Sequence, residues 1–271
     1  MKLCLLGWSK MGENMYLEKF KLNGRKAIVT GGGRGIGLCC SEALAEAGAF
    51  VIIADRDPAV ATNGLAHLES KGFNAQVVIM DVTSTEQVNQ VANDLFKEHG
   101  AMDILVNCAG IARSGVSAED VPDELWLDVN NVNYNGTFWC CRAFGKQMLE
   151  KGKGSIVNIG SMSGLIVNRP QNQSYYNASK AAVHHLTASL GAEWAARGVR
   201  VNAVAPTYIE TPMIHSLELV KEAMKDWLRD TPMGRLGQPD EIASVVHFLA
   251  SDASSIMTGA TVVADAGFVC W

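Results

Sequence analysis

No apolar stretch of this chain approaches the ~20 residues that a membrane-spanning helix needs, and no internal repeat, low-complexity linker or block of like charge interrupts its 271 residues. A membrane span, a repeat array and a chain of tethered modules are therefore not expected. Positive charge is also short: the formal net charge is -5, which argues against nucleic acid or an anionic membrane as partner. The seven cysteines include the adjacent pairs Cys39-Cys40 and Cys140-Cys141, with Cys4, Cys108 and Cys270 scattered, and no spacing suits a zinc site. An odd count with no leader-like segment reads as reduced and cytoplasmic, with no metal. Residues 3–8, Leu-Cys-Leu-Leu-Gly-Trp, are too short for a secretory apolar core. Residues 1–14 are expected to be a dispensable extension ahead of one domain spanning 15–271.

What the chain does have is alternation of strand and helix patterns. Lys26–Thr30 is a short run rich in β-branched residues. It is followed at once by Gly31-Gly32-Gly33-Arg34-Gly35-Ile36-Gly37, then by a helical pattern ending at Gly48. Strand, glycine turn and helix in that order form the context in which such glycines bind a dinucleotide. Glycine lets the backbone approach a pyrophosphate, and a helix starting near Gly35 points free N–H groups and a positive dipole end at the anion. An ordinary βα turn is the alternative. The next strand, Phe50–Asp55, ends in an acid 18 residues beyond Gly37, where a dinucleotide fold places a carboxylate on the adenosine ribose hydroxyls. Asp55 would repel a 2'-phosphate, so NAD is expected over NADP, although Arg34 and Arg56 could each approach such a phosphate. A third strand over 76–80 leads to Asp81-Val82, and a fourth over 104–106 to Asn107-Cys108-Ala109-Gly110. Polar groups at the carboxyl ends of parallel strands sit where open α/β sheets bind ligand, though Asp81 could equally cap the helix that follows.

Tyr176-Asn177-Ala178-Ser179-Lys180 opens a helical pattern running to about residue 197. At i and i+4 the phenol and the ammonium share one helix face. A tyrosine titrates near pH ~10, and bringing it to neutrality takes roughly 4 kcal/mol of preferential phenolate stabilisation, which a fixed cation can supply. The competing reading is a Tyr and a Lys on a solvated face.

Taken together, Thr30-Gly31-x-x-x-Gly35-Ile36-Gly37, Asn107-Cys108-Ala109-Gly110, Asn133, Ser161 and Tyr176-x-x-x-Lys180 resemble the short-chain dehydrogenase/reductase family over about residues 20–271. The likeness implies an α/β, Rossmann-type doubly wound fold with a seven-stranded parallel sheet and helices on both faces. It also implies a Ser-Tyr-Lys-Asn tetrad of Ser161, Tyr176, Lys180 and Asn133, with Tyr176 as general base or acid and Ser161 bonding the substrate oxygen. Lys180 would hold the nicotinamide ribose and lower the Tyr176 pKa. Asn133, with a local helix irregularity, would anchor a proton-relay water. Ser163 stands at the family's usual distance from Tyr176 and stays a rival, but Ser161 is favoured because a strand-end position is more rigid than a loop length. Pro206-Thr207-Tyr208-Ile209-Glu210-Thr211 is similar to the family's Pro-Gly-x-x-x-Thr segment. Pro206, the Ile209 backbone and the Thr211 hydroxyl would meet the carboxamide, with Thr207 where glycine is usual. Asp265-Ala266-Gly267 stands where Asp-Gly-Gly is more common.

Within the family the runs 156–170 and 138–145 and the ending in Trp271 resemble the sugar-alcohol, galactitol-type dehydrogenases. Ser163, Asn168, Arg169, Gln171 and Gln173 follow Ser161 and would suit a polar substrate, although Met162, Leu165, Ile166 and Val167 share the loop and the polar groups could simply face water. Residues 212–233 read as an amphipathic lid, Met213 and Trp227 being candidates for substrate contact. A 3-oxoacyl-thioester or other carbonyl reductase, and a non-catalytic nucleotide-sensing scaffold, are the alternative functions. Trp126, Phe138, Trp139 and Phe144 on one helix and Val183, Leu186, Leu190 and Trp194 on the next exceed one sheet-facing stripe. By the family's assembly they imply a homotetramer. His184 and His185 are expected to pack or face water.

Overall fold

The computed structural model describes residues 16–211, 214 and 220–271. The expected extension at 1–14, Met213, and all of residues 212–219 except Ile214 lie outside the described residues. Seven parallel strands, β1 (Lys26–Thr30), β2 (Phe50–Asp55), β3 (Ala75–Ile79), β4 (Ile104–Asn107), β5 (Gly154–Ile159), β6 (Val199–Pro206) and β7 (Thr261–Ala264), form one sheet in the order β3-β2-β1-β4-β5-β6-β7. Strands β1 and β2 have the bounds read from sequence, while β3 begins and ends one residue earlier than expected, in the register Val51↔Ala75 to Asp55↔Ile79.

The helices are α1 (Gly35–Glu46), α2 (Pro58–Ser70), α3 (Thr85–His99), α4 (Asp123–Asn130), α5 (Gly136–Lys151), α6 (Ser174–Trp194), α7 (Val220–Asp230) and α8 (Pro239–Ala250). The central strands are apolar on both faces, as strands covered on both sides must be. Val29, Val51, Ile53 and Val106 pack against Leu44, Ile242 and Val246 on one side. Ile28, Ile52, Leu105 and Ile156 pack against Leu95, Phe144, Met148 and Trp194 on the other. No described helix is long and apolar enough to cross a membrane.

One polar staple was not legible beforehand. The Arg200 guanidinium on β6 donates to the carbonyls of Ser254, Met257, Leu249 and Ser251, tying the sheet to the last turn of α8 and the segment after it.

The chain winds outward from β1 in one direction and from β4 in the other, so the β1/β4 boundary is the switch point where the turns after the two strands part and leave a crevice. Thr30, Asn107 and Asn158 are register partners across β1, β4 and β5, which lines up one polar rank at the carboxyl ends of the strands.

Candidate active site

The glycine turn after β1 is built for close approach. Gly31 takes φ +64°, and a Cβ on buried Gly37 would lie 2.1 Å from the Gly31 carbonyl oxygen. Only glycine lets α1 begin this near the strand end. Helices α2 and α3 are capped by the side chains of Asp57 and Ser84, which leaves Asp81 to accept instead from the Thr83 N–H and hydroxyl. By contrast Arg34, at the N-cap of α1, makes no side-chain cap bond, and no acid stands in the first turn. The first-turn N–H groups of α1 thus face the crevice as an anion site. Asp55 ends β2 on the same side, accepting from the Asp57 N–H at 3.1 Å. Thr211 overhangs the turn, its Cγ2 3.6 Å from where a Gly35 Cβ would stand. These features fit a nicotinamide dinucleotide.

Behind this cradle Thr30 Oγ1 accepts from the N–H groups of Cys108 and Ala109, holding the β4 turn that carries Gly110. Asn107 turns inward. Its Nδ2 donates to Asn158 Oδ1 at 2.8 Å, and Asn158 Nδ2 donates to Thr187 Oγ1 at 2.9 Å. Val82 is buried in the β4-side core. Beyond β6, Glu210 N–H donates to the Gly237 carbonyl and Gly237 N–H to the Tyr208 carbonyl. That bridge leaves the Ile209 amide on the opposite edge. Thr207 is not among the positive-φ residues, so replacing glycine there costs no strain; Ala266 is, at φ +54°.

The Tyr176 hydroxyl pairs with Ser161, not Ser163. Ser161 is the residue right after Gly160 at the end of β5, nearly buried, and its Oγ also accepts from Ser163 N–H at 3.1 Å. The Ser163 hydroxyl instead accepts from Gln173 Nε2 at 3.3 Å. Lys180 Nζ lies 5.9 Å from the Tyr176 ring centre and donates to the Ile159 carbonyl at 2.8 Å. Burial pulls its pKa down to about 8.

For Tyr176 the outcome differs from the expected lowering. Burial pushes the phenol up, the Ser161 bond opposes this, and Tyr208 reinforces it. Burial thus outweighs the Ser161 bond, and the Lys180 ammonium donates to the Ile159 carbonyl. Asn133 stands in the expected irregularity, a π-turn over Asn131–Asn135 between α4 and α5. Its side chain accepts from Ile111 N–H at 2.8 Å and donates to the Ile111 carbonyl and to Ser179 Oγ.

The loop polar groups do not simply face water. Gln173 Nε2 donates to Ser163 Oγ, Asn168 Oδ1 and Asn177 Oδ1. Asn168 Nδ2 and Gln171 Nε2 both donate to Tyr208 Oη, and Trp227 Nε1 donates to Gln171 Oε1 at 3.1 Å. Tyr208 and Trp227 stack with centres 3.8 Å apart and planes 9° apart. Trp227 is therefore committed to lid packing. Sequence reasoning assigned Tyr208 no role, and nothing in local spacing pairs it with a tryptophan in another element. His184 accepts from Ser161 N–H at 3.3 Å; its i+4 spacing from Lys180 was the signal available for it.

The six described cysteines are free, and burial pushes Cys108 and Cys141 up to about 12, so those two are inert thiols. Among the described residues no three His, Cys, Asp or Glu side chains converge as a metal site. Phe144, Val183, Leu190 and Trp194 are buried within the protomer, so the apolar face available to another copy is smaller than the sequence suggested, with Trp126 and Leu127 its most exposed members.

Residues 31–269 match the family described as enoyl-(acyl carrier protein) reductase. The chain is 56% identical to galactitol 2-dehydrogenase of Rhizobium johnstonii over 94% of this chain and 99% of that one. It superposes on the crystal structure of gox2181 with a TM-score of 0.93 at 56% identity, covering 95% of this chain and 100% of that one. A gluconate 5-dehydrogenase from Burkholderia cenocepacia, solved with NADP and tartrate, is similar at TM-score 0.89 and 38% identity, with 95% and 100% covered.

Proposed function

The chain belongs to the short-chain dehydrogenase/reductase family, and from that premise we propose that it interconverts a secondary hydroxyl of a sugar alcohol or sugar with the matching ketone, using NAD in preference to NADP. The observation that carries the reading is the Tyr176 hydroxyl paired with Ser161 at the end of β5, with Lys180 one helical turn along. Bound nicotinamide supplies the hydride acceptor in oxidation and the donor in reduction.

The chain's residues handle the oxygen and its proton. Ser161 donates to the substrate oxygen, and Tyr176 takes the hydroxyl proton in oxidation or delivers one in reduction. Because burial holds the phenol protonated, the protein alone favours the acid form, and the base form requires the Lys180 ammonium to turn toward the ring. Asn133 supports the relay from its π-turn. The backbone of Gly31, Gly35, Ile36 and Gly37 takes the pyrophosphate beside Arg34, and Asp55 takes the adenosine ribose. Asp81 and Val82 border the adenine, and Asn107, its side chain turned into the sheet, leads into the turn whose Gly110 borders the ribose. Lys180 takes the nicotinamide ribose, and Pro206, Ile209 and Thr211 take the carboxamide. Ser163, Asn168 and Met213 are the candidates for substrate contact.

The similarity to galactitol 2-dehydrogenase supports a polyol, as does a wall rich in amides. A carboxylate at the end of β2 supports NAD, while the NADP-bound gluconate 5-dehydrogenase marks the other possibility. We place these residues in one cytoplasmic domain over 15–271, with a lid at about 212–233, assembled as a homotetramer. The test is a panel of polyols, hydroxy acids, 3-oxoacyl thioesters and steroids with each cofactor, followed by reduced-nicotinamide absorbance. Polyols with NAD should turn over fastest; turnover of thioesters or steroids alone refutes the reading.

A further inference from the structure

We propose that His184 is a positioning residue that aims the Ser161 hydroxyl at Tyr176 by accepting the Ser161 backbone N–H; the inference rests on the catalytic reading above. Tyr176, Lys180 and His184 recur every four residues on α6 and so share one face. Each meets the end of β5 at a different atom: Tyr176 at the Ser161 hydroxyl, Lys180 at the Ile159 carbonyl and His184 at the Ser161 N–H. The last backbone bond of this stretch is Gly160 N–H to the Val204 carbonyl at 2.8 Å. Past it, Ser161 has left the ladder, and the imidazole supplies the acceptor its N–H would otherwise lack.

The surroundings are shaped for that ring. A Cβ on Gly160 would lie 2.2 Å from His184 Nε2, and one on Gly164 2.8 Å from Cε1. His184 is 9% exposed, and its Nδ1 is buried without a partner. A residue kept only to fill this space would be better apolar, since the orphaned nitrogen costs free energy. Burial and the Lys180 charge pull its pKa down to about 4, so the ring is neutral. With Nε2 accepting, the proton must sit on Nδ1. Pinned at N–H by His184 and at Oγ by Ser163 N–H, Ser161 keeps one rotamer toward Tyr176.

The test uses the full-length enzyme and the alcohol it oxidises fastest. His184→Leu should lower kcat by roughly tenfold, as expected for sub-ångström misplacement of an oxyanion donor, with cofactor KM unchanged. His184→Gln should recover most of the loss, its amide oxygen replacing Nε2. In a Ser161→Ala background His184→Leu should cost nothing further. Equal losses in both backgrounds, or no recovery with Gln, would mean the ring merely fills space and would overturn the proposal. Ring ¹⁵N shifts of wild-type His184 at neutral pH give a readout independent of turnover and of how the variants fold. The neutral Nδ1–H tautomer is expected; an Nε2–H tautomer or an imidazolium would overturn the assignment. If no alcohol is oxidised the proposed function falls, while the tautomer still decides the role of His184 toward Ser161.

Discussion

Gly37→Ala probes the cofactor cradle where the geometry leaves least room. The added methyl would sit 2.1 Å from the Gly31 carbonyl oxygen, against a practical limit of 3.0 Å, so the turn and the start of α1 must separate by about 0.9 Å. Both sides of the contact are backbone, so no rotamer change relieves it. A displacement near 1 Å of groups that position a ligand costs on the order of 100-fold, or about 2.7 kcal/mol of binding free energy. Calorimetric titration with NAD should show that loss. Thermal unfolding should show a smaller one, because the clash lies in the turn beyond the carboxyl end of β1, outside the apolar clusters. Gly72→Ala is the control for strain alone: it has φ +80° and nothing within 4 Å of the new Cβ, so it should lower stability by about 1 kcal/mol and leave NAD affinity alone. A Gly37→Ala protein binding NAD within twofold of wild type would refute the assignment of this turn to the pyrophosphate.

Four further outcomes follow from the same geometry. Tyr176→Phe should reduce turnover by roughly 10²–10⁴-fold while NAD affinity stays within twofold; substantial residual activity in steady-state kinetics would remove Tyr176 from the chemistry. Asp55→Ala removes the charge opposing a 2'-phosphate and should raise the ratio of NADP to NAD efficiency by at least roughly tenfold, an unchanged ratio showing that another group sets the choice. Ala266→Gly relieves a left-handed φ of +54° worth about 1–2 kcal/mol, partly offset by the freer unfolded chain. Tm should therefore rise by about 1–4 °C, and a fall would show that the alanine methyl packs usefully. Burial pulls Lys180 from an ordinary 10.5 down to about 8, so the unfolded chain binds the extra proton between those values, and stability recovers as pH rises through that window. Lys180→Met should accordingly melt above wild type at pH 7, with the gap narrowing toward pH 10; a gap independent of pH would contradict it.

Strands β1 and β2 were legible because their β-branched runs are bounded by local signals, Gly24 and Gly31 around β1 and Gly48 and Asp55 around β2, that act within a few residues. The start of α1 followed from an equally local motif, whereas the irregularity at Asn133 was implied only by the family resemblance. The placement of β3 was not legible, since its register, one residue earlier than expected, is set by pairing with β2 up to Asp55. The cap of α3 was decided by which of two nearby polar side chains reached the Gln87 N–H, and Ser84 did.

Sequence alone determined the alternation of strand and helix, the glycine turn and the shared helix face of Tyr176 and Lys180, because backbone freedom and helical periodicity are properties of neighbouring residues. Only the tertiary structure decided that Ser161 rather than Ser163 meets the phenol, that His184 stands behind it, and that the loop amides close on Tyr208 and Trp227. It also decided the direction of the Tyr176 shift. Each of these depends on which elements the sheet order brings together and on how much water they exclude, and no window of contiguous residues carries either quantity.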